Sequence, residues 1–227
     1  MARSLIGRLV EPLGGPVMGS LTSPLKRLYT AGAAGAVVLA FGMLAGCAGT
    51  PAALADIRYD FGPAPQPATS GPMPAIKVLD VSAPETLASD KLIYRLSYAD
   101  AQQTASYANS HWTMAPAQLL TQRLRNALSQ RGTVLTGGDG VRAPVLKVDL
   151  DEFEQIFDSR TESHGAVSAR VTLTQGGKVL AQRTFIARAP ASSSDASGGA
   201  QALAAASDDL VAQIAAWIGV QALVAAQ

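Results

Sequence analysis

Strict alternation of apolar and polar residues in the second half of the chain is the feature that most limits its fold. In "VLKVDLD", the apolar residues Leu146, Val148 and Leu150 alternate with polar ones, which is the period-two pattern of a half-buried strand. The runs "GAVSARVTLTQ" and "KVLAQRTFIAR" follow, joined by Gly176-Gly177. Paired glycines permit the positive φ angles of a tight turn, so the pattern predicts three successive strands, the last two forming a hairpin.

Other patterns place further elements around these strands. "AIKVLDVSAP" and "KLIYRLSYAD" predict two earlier strands, and "ASYANSHWTMAP" leads into a helix that begins at Pro116 and ends before Gly132. The buried stripe of this helix is Leu120, Leu124, Ala127 and Leu128, and its mostly solvated side is Gln122, Arg123, Arg125 and Gln130. A final helix presents an apolar stripe of Leu203, Ala206, Leu210, Ile214 and Trp217. The order β-β-α-β-β-β-α predicts an α+β fold: a mixed, largely antiparallel sheet with two helices packed on one face.

The N-terminal residues carry an export signature. Lys26-Arg27 precede an uncharged run of 15 residues, 31–45, which matches a signal-peptide core and is shorter than the roughly 20 residues of a membrane-spanning helix. "LAGC" then resembles the lipobox of bacterial lipoproteins, in which Cys47 becomes the lipid-bearing first residue after residues 1–46 are removed. The alternative is a passive cysteine in an uncleaved anchor. Ala48, in place of Asp, favours the outer membrane, with the protein lipid-anchored on the periplasmic side and acylated, for example with palmitate.

A proline-rich stretch separates this anchor from the folded part of the chain. Residues 47–75 contain six prolines and predict an extended tether, followed by a domain over residues 76–227. "IRYDFGP", inside the tether, alternates apolar and polar residues. It either adds a strand to the domain or remains linker.

Residues for catalysis or metal binding are scarce. His111 is placed at a helix entry and His164 in a turn, without cysteine partners or an HExxH arrangement, so both are interpreted as surface or loop histidines. The acidic cluster Asp149, Asp151, Glu152, Glu154 and Asp158 is interpreted as a solvated strand edge. We therefore expect no enzyme activity, catalytic residue, metal or cofactor. The residues after Gly46 include 14 basic and 16 acidic side chains, which argues against a nucleic-acid partner.

The segment from Leu92 to Leu128, together with "YDFGP" and "APVLKVDLDEFEQIF", resembles the auxiliary lipoproteins of ABC-type intermembrane transport systems, including the Pqi-type and Mla-associated lipoproteins. The resemblance covers roughly Tyr59 to Ile218. Its markers are Tyr94-Arg95, Tyr107, Trp112 followed by Pro116, and the helix beginning at Gln118. His111 departs from the pattern, because many relatives carry Arg before the Trp.

The resemblance implies a non-enzymatic outer-membrane component of a system that moves phospholipid or another hydrophobic solute. In such a system, the protein would dock onto an MCE-domain protein. Tyr94, Arg95, Tyr107 and Trp112 are the candidate partner-binding residues, since aromatic and Arg side chains dominate binding hot spots. Core packing is the alternative role for Trp112 and Tyr94. The competing function is that of a lipoprotein regulator of envelope enzymes such as peptidoglycan synthases. A hydrolase that uses His111 or His164 is a third alternative. The chain could also form a homo-oligomer.

Overall fold

The computed structural model describes residues 55–65 and 71–225. These residues form eight strands, a short 3-10 helix (Glu85–Leu87) and two α-helices. In chain order the main elements are β1 (Ile57–Tyr59), β2 (Ile76–Val78), β3 (Lys91–Arg95), β4 (Thr104–Trp112), α1 (Pro116–Ser129), β5 (Val134–Leu135), β6 (Val145–Phe157), β7 (Ser163–Gln175), β8 (Lys178–Pro190) and α2 (Ala196–Ala225).

The three longest strands follow one another in sequence and in space. β6, β7 and β8 each have 13 residues, and β7 pairs antiparallel with both of the others. Gly176 and Gly177 join β7 to β8 at φ angles of 57° and 80°, so the predicted hairpin and its glycine turn are confirmed. The buried residues of β6 include Leu146, Val148 and Leu150, as the alternation predicts.

The other edge of β6 is shared by two groups of short strands. β2 pairs parallel with its beginning, where Lys77 lies opposite Val145, and β5 lies beyond β2. β3 pairs parallel with its end, where Tyr94 lies opposite Gln155; β4 and then β1 continue outward from there. The result is one open, mixed sheet of eight strands, and the predicted α+β fold is confirmed.

Both helices cover one face of this sheet. Most residues of the apolar stripes predicted for them are buried, with Leu124 of α1 and Leu203, Leu210 and Ile214 of α2 fully enclosed, whereas Ala127 and Trp217 are only partly buried. α2 approaches the sheet closely at Gly165, where an added Cβ would lie 2.6 Å from the backbone of Leu203. Residues 196–221 of α2 are long and apolar enough to cross a membrane by length and composition, but the buried stripe on the sheet is typical of a core helix.

Three strands differ from the sequence interpretation or extend it. The segment expected to lead into the first helix forms the nine-residue strand β4, whose exposed positions carry small and polar residues, so it has no apolar alternation to detect. β5 was also not predicted. Of the two alternatives for "IRYDFGP", the strand is observed, because Ile57–Tyr59 pairs parallel with β4. The sheet therefore already includes residues ahead of position 76.

The predicted signal peptide, Cys47 and part of the predicted tether lie outside the described residues. The lipid attachment at Cys47 and the boundary after residue 46 thus remain predictions.

Candidate functional site

Two of the predicted partner-binding residues, Tyr94 and Tyr107, form a tyrosine pair on the helix-bearing face of the sheet. β3 and β4 run antiparallel with Tyr94 opposite Ala105, which places Tyr107 two positions further along on the same face. The ring centroids of the two tyrosines lie 4.8 Å apart at an interplanar angle of 45°, and Phe157 packs edge-on against Tyr94. Both tyrosines are half-buried, so each contributes to the core and to the surface.

A chain of hydrogen bonds fixes the position of Tyr107. Its hydroxyl donates to Gln155 Oε1 at 2.9 Å, and Gln155 Nε2 donates to Ser163 Oγ at 2.9 Å. Gln155 is completely buried, so losing either partner would leave a buried amide group unsatisfied. Burial, assisted by neighbouring Tyr94, raises the pKa of Tyr107 to about 12, which keeps the hydroxyl protonated as a donor at physiological pH.

The first turn of α2 leaves room for this buried amide only because position 199 is glycine. A Cβ built on Gly199 would overlap Oε1 of Gln155. The preceding residues cap the helix, as Asp195 accepts a hydrogen bond of 2.8 Å from the backbone N–H of Gly198. This hydrogen bond is the leading cause that holds the pKa of Asp195 below its usual value. The helix end and the tyrosine pair are thus linked through Gln155.

Arg95 lies on the opposite face of the sheet from Tyr94, because successive residues of a strand point to opposite sides. Its guanidinium contacts both carboxylate oxygens of Glu154, at 2.8 and 3.1 Å, and donates to the carbonyl of Ala101 at 2.6 Å. Arg95 therefore ties the β3–β4 loop to β6. Glu154 was expected at a solvated edge, but it is buried in this pair.

Trp112, the fourth candidate, lies in the core. Its side chain is 0% exposed and packs edge-on against Phe61 and Phe153, with centroid distances of 5.8 and 5.5 Å. This position corresponds to core packing, the alternative role considered for Trp112. Among the four candidate partner-binding residues, only Tyr94 and Tyr107 therefore present aromatic surface.

Arg123 is the residue whose location differs most from the sequence prediction. It was assigned to the solvated side of its helix, which is wrong, because it is only 6% exposed. Its guanidinium donates to the carbonyls of Phe61 and Gly62 and lies 3.3 Å from Asp208 of α2, 5.7 Å from the centre of the Phe61 ring. Burial raises the pKa of Asp208, although the charge of Arg123 opposes the shift. Arg123, which belongs to α1, thus links "YDFGP" to both helices.

The two histidines lie in strands rather than at a helix entry or in a turn. His111, in β4, has Asp56 at 3.5 Å and Asp90 at 3.9 Å, and His164, at the start of β7, has Asp158 at 2.7 Å. No group of three or more His, Cys, Asp or Glu side chains with metal-binding geometry occurs among residues 55–65 and 71–225.

Comparison with known protein families places the chain in one of them. The model of the ABC-type transport auxiliary lipoprotein component matches residues 59–215, which extends from the end of β1 into α2 and includes the tyrosine pair and Arg123. The chain belongs to this family. Membership indicates a membrane-anchored lipoprotein that serves as an auxiliary component of an ABC-type transport system.

Solved structures of similar proteins share the fold of this auxiliary lipoprotein. Protein XCC0632 from Xanthomonas campestris, assigned to the DUF330 family, is 19% identical with a TM-score of 0.63, over 75% of this chain and 96% of that one. An uncharacterized protein is 20% identical with a TM-score of 0.59, over 72% of this chain and 99% of that one. No curated protein matches the sequence significantly.

Proposed function

We propose that this lipoprotein is a non-enzymatic adaptor, anchored at the outer membrane through Cys47, in an ABC-type system that moves phospholipid or another hydrophobic solute between membranes. Its partner is the MCE-domain protein of that system, and the docking surface contains the tyrosine pair. The family match carries this proposal, because it spans the whole of the tyrosine-bearing part of the sheet.

The tyrosine pair is suited to docking because it is aromatic and held in place. Tyrosine gives a large contact area at a small cost in side-chain entropy, and aromatic residues are enriched in binding hot spots. Tyr107 is already fixed by its hydrogen bond to Gln155, and Tyr94 by its tilted contact with Tyr107 and its edge-on contact with Phe157. A partner would therefore meet a surface that loses little conformational freedom on binding.

Co-purification of the acylated full-length chain under mild detergent tests this proposal. The wild type should recover an MCE-domain protein, and Tyr94→Ser should lower that recovery about tenfold, which is the loss expected for a hot-spot residue. Ile186→Ser is the matched control, because Ile186 is 56% exposed on β8, outside the tyrosine pair, and its removal should leave recovery unchanged.

A Cys47→Ser chain tests the anchor in the same preparation. Without the cysteine, the chain cannot be acylated at position 47. If its signal peptide is still cleaved, the chain should appear in the soluble fraction; if it is not cleaved, the chain should accumulate as an unprocessed precursor. Recovery of a peptidoglycan synthase in place of an MCE protein would favour the regulator function and contradict the adaptor proposal. So would equal recovery by Tyr94→Ser and wild type.

A further inference from the structure

An apolar groove opens at the end of the sheet where β6 begins, far along that strand from the tyrosine pair. Its volume is about 340 Å³, within the range of sites for small organic ligands. The floor and walls come from the chain before β2, the end of β7, the hairpin and the last turns of α2. The apolar lining includes Met73, Ile76, Pro144, Leu173, Leu180 and Ile218.

The apolar wall of the groove is partly open to solvent at the hairpin. Leu180, which lines the groove, is 43% exposed and is one of seven large apolar side chains that are strongly exposed among the described residues. Ile76, Leu173 and Ile218, which also line it, are buried and form its inner wall. A concave, mainly apolar surface of this kind is the usual form of a small-ligand site.

Among the residues that line the groove, the charge is positive. Arg142 lies in the lining, and no lining residue is acidic. Among the described residues, the Arg142 side chain has no hydrogen-bond or ion-pair partner, whereas nearby Lys77 is paired with Asp139 at 3.0 Å. Lys178, at the hairpin, adds a second cation beside the exposed Val179 and Leu180. The groove thus offers apolar walls and a guanidinium at its mouth.

We propose that this groove binds one acyl chain of an anionic amphiphile, with the chain along the apolar lining and the carboxylate or phosphate at Arg142. A guanidinium binds such groups through two parallel hydrogen bonds. The groove is concave and small, which fits a single chain better than a protein partner, whose standard interface buries roughly 800 Å² on each side. The site is separate from the tyrosine pair and does not depend on the adaptor function.

Titration of the purified full-length chain with dansyl-undecanoic acid tests the site, with a non-ionic amphipol keeping the protein soluble. Trp217 lines a neighbouring groove that shares Gln221 with this one, so bound probe should accept energy from its indole. We expect saturable binding, with the uncharged methyl ester of the probe bound about three- to tenfold more weakly.

Two pairs of variants locate the probe. Leu180→Asn should weaken binding about tenfold, while Ile186→Asn, an exposed apolar position on the same strand, should not change it. Arg142→Gln should weaken the acid to the affinity of the ester, while Arg188→Gln, a second exposed Arg, should have no effect. These exposed substitutions leave the core intact, so lost binding would not reflect unfolding.

The proposal is overturned if the wild type shows no saturable binding, or if Leu180→Asn and Ile186→Asn bind equally well. It is also overturned if Leu180→Asn changes the sedimentation coefficient of the protein, because the groove would then belong to a contact between copies. A negative result in the probe titration would not change the result of the MCE co-purification, and a negative co-purification would not change the result of the titration.

Discussion

The long-strand half of the domain (β6, β7, β8 and α2) and the short-strand half (β1, β3, β4 and α1) are stabilised differently. In the long-strand half, continuous ladders of paired strands carry an apolar face on which an uncharged stripe of α2 packs. In the short-strand half, side chains distant in sequence make the connections: Arg58 to Asp90, Arg95 to Glu154, and Arg123 to the backbone of "YDFGP".

The difference concerns how stability is distributed. A long ladder distributes the stability over many backbone hydrogen bonds, so replacing one exposed side chain should change the free energy of unfolding little. Short strands have few backbone pairs, and a few side-chain contacts hold them in place. The tyrosine pair belongs to the short-strand half, so we expect the partner-binding surface to depend on single residues more than the rest of the domain does.

Truncating a tryptophan in each half should give the largest contrast. Trp112→Ala removes a fully buried indole between two phenylalanines and should cost about 3–5 kcal/mol of unfolding free energy. Trp217→Ala removes a partly exposed indole that packs edge-on against Phe185, and should cost about half as much, since less apolar area is lost. Urea unfolding followed by circular dichroism measures both, and equal losses would contradict the comparison.

Replacing Arg123 should come next in size. Arg123→Met keeps the length of the side chain but leaves Asp208 without its cation and two carbonyls without a donor, at a cost of about 2–3 kcal/mol. Arg125→Met, on the same helix, removes a pair with the largely exposed Asp80 and two hydrogen bonds to the carbonyl of Val78, and leaves no buried carboxylate without a cation, so it should cost less, about 1 kcal/mol. Amide exchange of residues 59–62 should accelerate in the first variant only.

The loss in Arg123→Met should also depend on pH. The pKa of Asp208 is already raised above 3.8 by burial, and removing the cation raises it further. The folded state then binds a proton more tightly than the unfolded state, so stability falls as pH rises through the carboxyl range. The deficit relative to wild type should be smaller near the ordinary carboxyl pKa than at neutral pH. A deficit that does not change with pH would show that Asp208 is not involved.

A glycine replacement in α2 should act on the tyrosine pair. Gly199→Ala forces Gln155 to move and should cost about 1–3 kcal/mol, with Tyr107 losing its hydrogen-bond partner. Gly219→Ala, in the same helix, meets only the end of Arg131 and should be neutral or stabilising by up to about 1 kcal/mol. Thermal unfolding of both variants measures the difference in stability. An unchanged melting temperature for Gly199→Ala would show that Gln155 does not require a glycine at position 199.

Elements with their own periodic pattern were predictable from the sequence. β6, β7 and the apolar stripe of α2 each bury one face along most of their length, so the alternation or the helical spacing records the burial directly. The β7–β8 turn was predictable from its paired glycines. β4 could not be found this way: only Ser110 and Trp112 of its nine residues are buried, and its neighbours in the sheet are short.

The candidate site was predictable as a set of residues but not as an arrangement. Tyr94 and Arg95 are adjacent in sequence, yet the strand sends them to opposite faces. Trp112 was placed before a helix, and only the register of β4 against β1 shows that it points into the core. The burial of Arg123 depends on Phe61, 62 positions earlier, which no local pattern reports.

The outer position of β8 bears on how copies of this lipoprotein behave when they meet. Within residues 55–65 and 71–225, β8 pairs only with β7, and a 13-residue edge that is open on one side would ordinarily act as a template for further strands. β8 carries Lys178, Arg183 and Arg188 and no acidic residue, so a second β8 would bring the same three cations to the edge. Repulsion between identical edges therefore disfavours growth into a continuous sheet, and a homo-oligomer, if one forms, would have to use another surface.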